Sequence, residues 1–215
     1  MPQLRVLPLP NGSFQENCFA VADDEVRGAV LVDPGEEADR FLRRLDDEGL
    51  ALEAVWLTHA HIDHVAGVGR IVEARAVPVY LHPDDRRLYD AAAQQGAWFG
   101  LQVDPLPPPT NDLVHGGHVR VGGLDFEVRH VPGHSPGSVA FVGHGVALVG
   151  DALFQGSVGR VDLPGGDGAT LLRSIREQLL TLPDHTVVYS GHGPETTIGR
   201  ERASNPFLTG AFALE

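Results

Sequence analysis

The sequence predicts a mixed α/β domain in which sheets are covered by helices. Two patterns carry that prediction. Short apolar runs alternate with segments of helical period through both halves of the 215 residues. Several of those runs also stop at Gly or Pro beside a histidine or an aspartate. The length fits one domain, residues 1–215, that can bury a core without covalent staples. The single cysteine, Cys18, leaves no intrachain disulfide to form.

In chain order, LRVLPL, NCFAVA and GAVLVDPG read as strands separated by polar, Gly-rich turns. EEADRFLRRLDDEG reads as a helix, because Ala38, Phe41, Leu42 and Leu45 share a face and Gly49 stops it. EAVWLT is a strand that runs into THAHIDH. HVAGVGRIVEAR predicts one helix with Val65, Val68 and Val72 on one side. VPVYLH is a strand, and PDDRRLYDAAAQQ starts a helix with Pro83 in its first turn. The Pro-rich residues 100–112 predict an ordered loop rather than a linker. HVRVGGLDFEVRHV and SVAFVGHGVALVGD read as hairpins that turn at glycines. ATLLRSIREQLLTL is an amphipathic helix, TVVYSG the last strand, and ETTIGRERASN a terminal helix.

Lys plus Arg is 16 and Asp plus Glu is 29, a net charge of −13 with no basic run, which disfavours nucleic acid as a partner. MPQLRVLPLPNGSF has no leader-like apolar stretch, and no apolar run reaches the roughly 18 residues that span a bilayer. The expectation is a cytoplasmic protein without membrane contact, a monomer or homodimer acting on a small molecule.

The chemistry concentrates at strand ends. THAHIDH places His59, His61, Asp63 and His64 on the few residues after EAVWLT, where a loop can converge side chains that a regular strand would splay. VPGHSPGS holds His134 in a turn after FEVRHV, ALVGDALF ends a strand at Gly150 and Asp151, and VVYSGHGPE sets His192 between two glycines. Open α/β sheets build their sites at such ends. Five imidazoles and two carboxylates suit Zn²⁺, Fe²⁺ or Mn²⁺. Seven ligands exceed one tetrahedral ion and fit two, with Asp151 able to bridge.

THAHIDH with His134, Asp151 and His192 resembles the metallo-β-lactamase superfamily of metal-dependent hydrolases. LVDPG, PGHSPGS, GSVGRVDLPGGD, GHGPETTIG and NPFL resemble one branch of it, the short glyoxalase II-like (hydroxyacylglutathione) hydrolases. The resemblance implies a four-layer αβ/βα sandwich (class α/β, α+β), two mixed β-sheets flanked by helices with the metals at one edge. It implies one metal on His59, His61 and His134, a second on Asp63, His64 and His192, and Asp151 between them. Two divalent ions, Zn²⁺ foremost and Fe or Mn as alternatives, would lower the pKa of a shared water from 15.7 toward about 7. The resulting hydroxide would attack a thioester such as S-lactoylglutathione, with Asp63 orienting it and receiving its proton. Full-length glyoxalase II carries a C-terminal helical extension that binds glutathione. This sequence stops at NPFLTGAFALE, so thioester chemistry is expected more firmly than glutathione itself. The alternatives in the superfamily are a persulfide dioxygenase with one iron on His59, His61, His134 and Asp151, a lactonase, or a β-lactamase.

Weaker signals have bland readings beside them. Arg160 could pair with a substrate carboxylate, or with Asp162 to hold its loop. Val161 stands where related sequences often carry Thr. Asp33 could orient the histidine loop, although an ordinary Asp-Pro-Gly turn explains it equally well. His115 and His118 imitate a ligand pair around a turn. His82, His130, His144 and His185 lack a partner pattern, Cys18 fits a small buried side chain, and Trp98 and Phe99 could wall a cleft or simply pack.

Overall fold

A computed structural model describes residues 1–214. The first sheet runs β1 (Leu4–Asn11), β2 (Glu16–Asp23), β3 (Gly28–Val32), β4 (Ala51–Trp56), β5 (Val79–Leu81) and β6 (Asn111–Asp112) in that spatial order. Its first three strands pair antiparallel and the rest pair parallel. The parallel links need crossovers, which α1 (Ala38–Asp47), α2 (Ile62–Val65), α3 (Val68–Arg75), α4 (Arg86–Asp90) and α5 (Ala92–Phe99) supply. A 3₁₀ turn at Pro83–Asp85 precedes α4. The second sheet contains β7 (His118–Val121), β8 (Leu124–His130), β9 (Val139–Gly143) and β10 (Val146–Gly150). After the small hairpin β11 (Leu153–Phe154) and β12 (Ser157–Val158), α6 (Gly168–Ser174) crosses over to β13 (Val187–Ser190), parallel to β10. β14 (Thr196–Thr197) and α7 (Ile198–Ser204) follow, giving the order β14-β13-β10-β9-β8-β7.

Alternation along β2 shows how the layers form. Phe19 and Val21 join Trp56, Phe126 and Phe141 in the core between the sheets, with the Trp56 and Phe141 rings 5.2 Å apart. Cys18, Ala20 and Ala22 face the other way, onto Phe41 and Leu45 of α1 and Ile71 of α3. Behind the second sheet, Ala147 and Val149 pack on Leu171, Ile175 and Leu179. The architecture is therefore helix–sheet–sheet–helix, the sandwich that the resemblance implies. Among the described residues no helix is long and apolar enough to cross a membrane.

Three local expectations need correction. The helix through HVAGVGRIVEAR is broken into α2 and α3, because Gly67 N donates to Pro34 O and pins the chain there. The helix after His82 comes as a 3₁₀ turn and two short α-helices. β13 is not the last strand, since Thr196 and Thr197 of ETTIG form β14 before the helix starts.

Candidate metal centre

β3, β4, β8, β10 and β13 end at the same edge of the sandwich, and the predicted residues follow those ends. β4 leads to His59 and His61, and α2 turns Asp63 and His64 back over them. The turn after β8 supplies His134, and the residues after β10 and β13 supply Asp151 and His192. All seven side chains meet. His59, His61, His64, His134 and Asp151 are buried; Asp63 and His192 are half-buried and face a cavity of about 390 Å³.

The side chains fall into two groups, His59–His61–His134 and Asp63–His64–His192, each with its donor atoms within 4.8 Å of one another. Asp151 lies between them, with Oδ1 3.4 Å from His64 Nε2 and Oδ2 3.6 Å from His134 Nε2 and 3.5 Å from His192 Nε2. Donors about 2.0–2.1 Å from one tetrahedral ion stand roughly 3.3 Å apart. His59 Nε2 and His134 Nε2 are 3.2 Å apart, and His192 Nε2 and Asp63 Oδ2 are also 3.2 Å apart. Of the four buried polar side-chain atoms without a hydrogen-bond partner among the described residues, two are His64 Nε2 and Asp151 Oδ1, which face each other here. A cation between them satisfies both. The residues fit divalent ions.

Hydrogen bonds on the far ring nitrogens fix the tautomers that metal binding needs. Thr58 Oγ1 donates its one proton to Asp33 Oδ2 at 2.5 Å, so it can only accept from His59 Nδ1 at 3.0 Å. His64 Nδ1 donates to Asp33 Oδ2 at 3.1 Å, and His134 Nδ1 donates to the Arg160 carbonyl at 2.8 Å. With Nδ1 so engaged, the Nε2 of each ring points inward, free on His59 and, on His64, available to a cation once the proton held by Asp63 and Asp151 is displaced. Asp33 is thus an orienting residue and not merely part of a turn.

Electrostatics draws positive charge into the pocket. Burial, with the neighbouring imidazoles, holds His59 well below the ordinary histidine pKa and His61 down to about 3, so both present neutral lone pairs. Burial alone would raise the Asp63 and Asp151 carboxyls, yet His64 and the other imidazoles outweigh it and both lie below the usual range. Burial likewise opposes charge on His64, but Asp63 and Asp151 prevail and raise it well above the ordinary value.

Two glycines make the close approach possible. A Cβ on Gly191 would overlap Asp151 Oδ1 and lie 2.6 Å from His64 Cε1. Gly150 adopts φ +51°, and a Cβ there would overlap Thr58 Oγ1.

Three supporting residues carry no sequence signal of their own. Asp85, fully buried, accepts from Ala60 N at 2.9 Å, Ser135 Oγ at 2.7 Å and Gly137 N at 2.6 Å, tying the His59–His61 loop to the His134 turn. Asn17 Nδ2 donates to the Ser190 and Gly193 carbonyls and holds the His192 loop. Glu16, buried, receives Asn11 Nδ2 at 2.6 Å and lies 3.8 Å from His64 Nδ1, with burial pushing its carboxyl well up.

The remaining histidines stay outside. His115, His118 and His185 are exposed, and His118 pairs with Asp125. His82 and His130 stack with centroids 4.2 Å apart, and His144 occupies a turn at φ +52°. Arg160 lines the cavity while forming a bidentate, exposed pair with Asp162. Trp98 and Phe99 do wall a cleft.

A model of the metallo-beta-lactamase superfamily matches residues 11–192. The chain belongs to that superfamily. This superfamily member is 40% identical over 204 residues to hydroxyacylglutathione hydrolase GloC of Haemophilus influenzae, covering 93% of this chain and 96% of that one. It is similar to the crystal structure of BLEG-1 B3 metallo-beta-lactamase (40% identity, TM-score 0.89, 95% of this chain and 100% of that one). It is also similar to TTHA1623 in a di-iron-bound form (46% identity, TM-score 0.86, 94% and 100%).

Proposed function

We propose that the protein hydrolyses thioesters, S-lactoylglutathione among them, with two divalent ions, Zn²⁺ foremost. The observation that carries this is the meeting of two three-residue groups around Asp151 on the wall of one cleft. His59, His61 and His134 would hold one ion and Asp63, His64 and His192 the other, with Asp151 within reach of both groups. Ions bound there acidify a water and stabilise negative charge that develops on a carbonyl oxygen.

The chain's own residues do the rest. Asp63, half-buried at the cleft with its carboxyl held low, orients the attacking water and takes its proton at a carboxylate oxygen. A thiolate leaves with little acid assistance, so no further acid is required. Ser135, the serine next to His134, is no nucleophile: it is fully buried and its hydroxyl donates to Asp85. Oxidation on a single iron would use His59, His61, His134 and Asp151 and leave the Asp63–His192 pair, 3.2 Å apart, without a role.

The test is metal analysis of the purified protein together with S-lactoylglutathione turnover before and after chelation. Two ions per chain, loss of turnover on chelation, and loss of most activity in a folded Asp63→Ala protein are expected. Turnover that persists after complete metal removal refutes the proposal; one iron with O₂ uptake favours oxidation.

A further inference from the structure

Resting on the thioester reading, the structure assigns an acyl subsite beside His61: we infer that the preferred acyl group is apolar and about the size of a benzene ring. A second cavity of about 190 Å³ borders the cleft and shares His61, Gln95, Phe99 and Leu163 with it as lining. Its walls are Leu88, Ala91, Trp98, Phe99, Leu163 and Pro164. The volume slightly exceeds the roughly 150 Å³ of an apolar cavity that holds benzene.

Three observations point to a ligand there. Trp98 and Phe99, at the end of α5, keep 61% and 50% of their surface in water, and adjacent large apolar rings at a cleft mark a binding surface. The wall offers a ligand little polarity: Gln95 Nε2 is already spent on the Ala60 carbonyl at 3.1 Å and the Leu88 carbonyl at 2.7 Å, which leaves the Gln95 carbonyl oxygen and the His61 ring as the polar groups of an otherwise apolar lining. Positive charge is scarce as well: Arg160 is the only Arg or Lys among the residues lining the two cavities, and it lines the main cleft, paired with Asp162. A polar thiol carrier is therefore left to the open, more polar cleft, and the arm that an apolar recess accepts is the one on the carbonyl carbon.

The test compares kcat/KM for S-phenylacetyl- and S-acetyl-N-acetylcysteamine, two thioesters of one thiol, on the metal-loaded protein. Burial of the ring should favour the phenylacetyl ester roughly ten-fold or more. Ala91→Phe, which fills the recess, and Leu163→Asp, which charges it from a loop, should each bring that ratio toward one. A wild-type ratio near one, or a ratio unchanged in both variants at full metal content, overturns the assignment while leaving thioester hydrolysis standing. If neither ester is cleaved, the hydrolysis reading fails, and the subsite is judged by the uncleavable S-phenethyl-N-acetylcysteamine thioether. Binding read from tryptophan fluorescence, and lost in both variants, supports the recess; no binding overturns it.

Discussion

Asp33→Asn isolates the orientation of one imidazole. Asp33 is buried, sits at φ +52°, and accepts from Thr58 N at 2.7 Å, Thr58 Oγ1 at 2.5 Å and His64 Nδ1 at 3.1 Å. Asparagine tolerates the same backbone conformation, so the turn survives. The amide cannot satisfy all three donors. If its oxygen stays on Thr58 N, its NH₂ faces His64 Nδ1, which must then accept, and the ring proton moves to Nε2, the atom that faces Asp151. If the amide flips, NH₂ meets the buried Thr58 N–H. Either way one hydrogen bond to a charged acceptor is lost, about 1.5–3 kcal/mol. That corresponds to roughly 10–100-fold in metal affinity. The assay is a stepwise Zn²⁺ titration against a competing chelator. One of two steps should weaken by that factor, with the other changed less. Two steps of wild-type affinity would show that Asp33 does not set the His64 tautomer.

Further outcomes follow from the same geometry. Gly191→Ala should leave the fold intact but displace Asp151 or His64, lowering turnover by about 10²-fold or more, read as lost metal content in a protein with native circular dichroism. The metal-free protein should lose stability on acidification partly through His61. Its folded pKa lies near 3 and its unfolded value near 6.5, so below about pH 6.5 the unfolded chain binds a proton that the folded chain refuses. That contribution is complete above pH 6.5 and is lost progressively down to about pH 3. Urea unfolding of His61→Gln should therefore fall less steeply with pH, by up to about 1.4 kcal/mol per unit. His64 and His192 act with the opposite sign, since their folded pKa values are raised, and they remain in both proteins. Equal slopes for the two proteins would refute the role given to His61.

The seven clustered residues were legible because each follows a strand whose apolar pattern is plain, so strand ends could be placed and their side chains assumed to meet. The layers were legible for the same reason: Phe19 and Val21 against Cys18 and Ala20 is an alternation that only a strand covered on both sides needs. What escaped depends on remote partners. Val65, Val68 and Val72 keep helical spacing straight through the break at Gly67, which a carbonyl 33 residues away, that of Pro34, imposes. Nothing in PDDRR distinguishes Asp85 from its neighbours, because its bonds to Ala60, Ser135 and Gly137 span 25, 50 and 52 residues. β11, β12 and β14 have two residues each, too few for any periodicity to register.

The two groups are unequal, and the inequality bears on how the centre fills. His59, His61 and His134 are all buried, and the first two are kept neutral, so a cation there gains direct charge attraction mainly from Asp151. Asp63, His64 and His192 present a carboxylate of their own, and Asp63 and His192 are half-exposed. A divalent ion beside Asp63 gains more Coulomb energy but must displace the proton that the carboxylates hold on His64. Binding at that group should therefore weaken more steeply as the pH falls below the raised His64 pKa. In the three-histidine group, His59 and His61 are both held below the ordinary histidine pKa, His61 down to about 3, so protons compete less at those two rings. Titrations repeated across pH should separate the two steps further under mildly acidic conditions, and the step lost first should be the one that Asp33→Asn weakens.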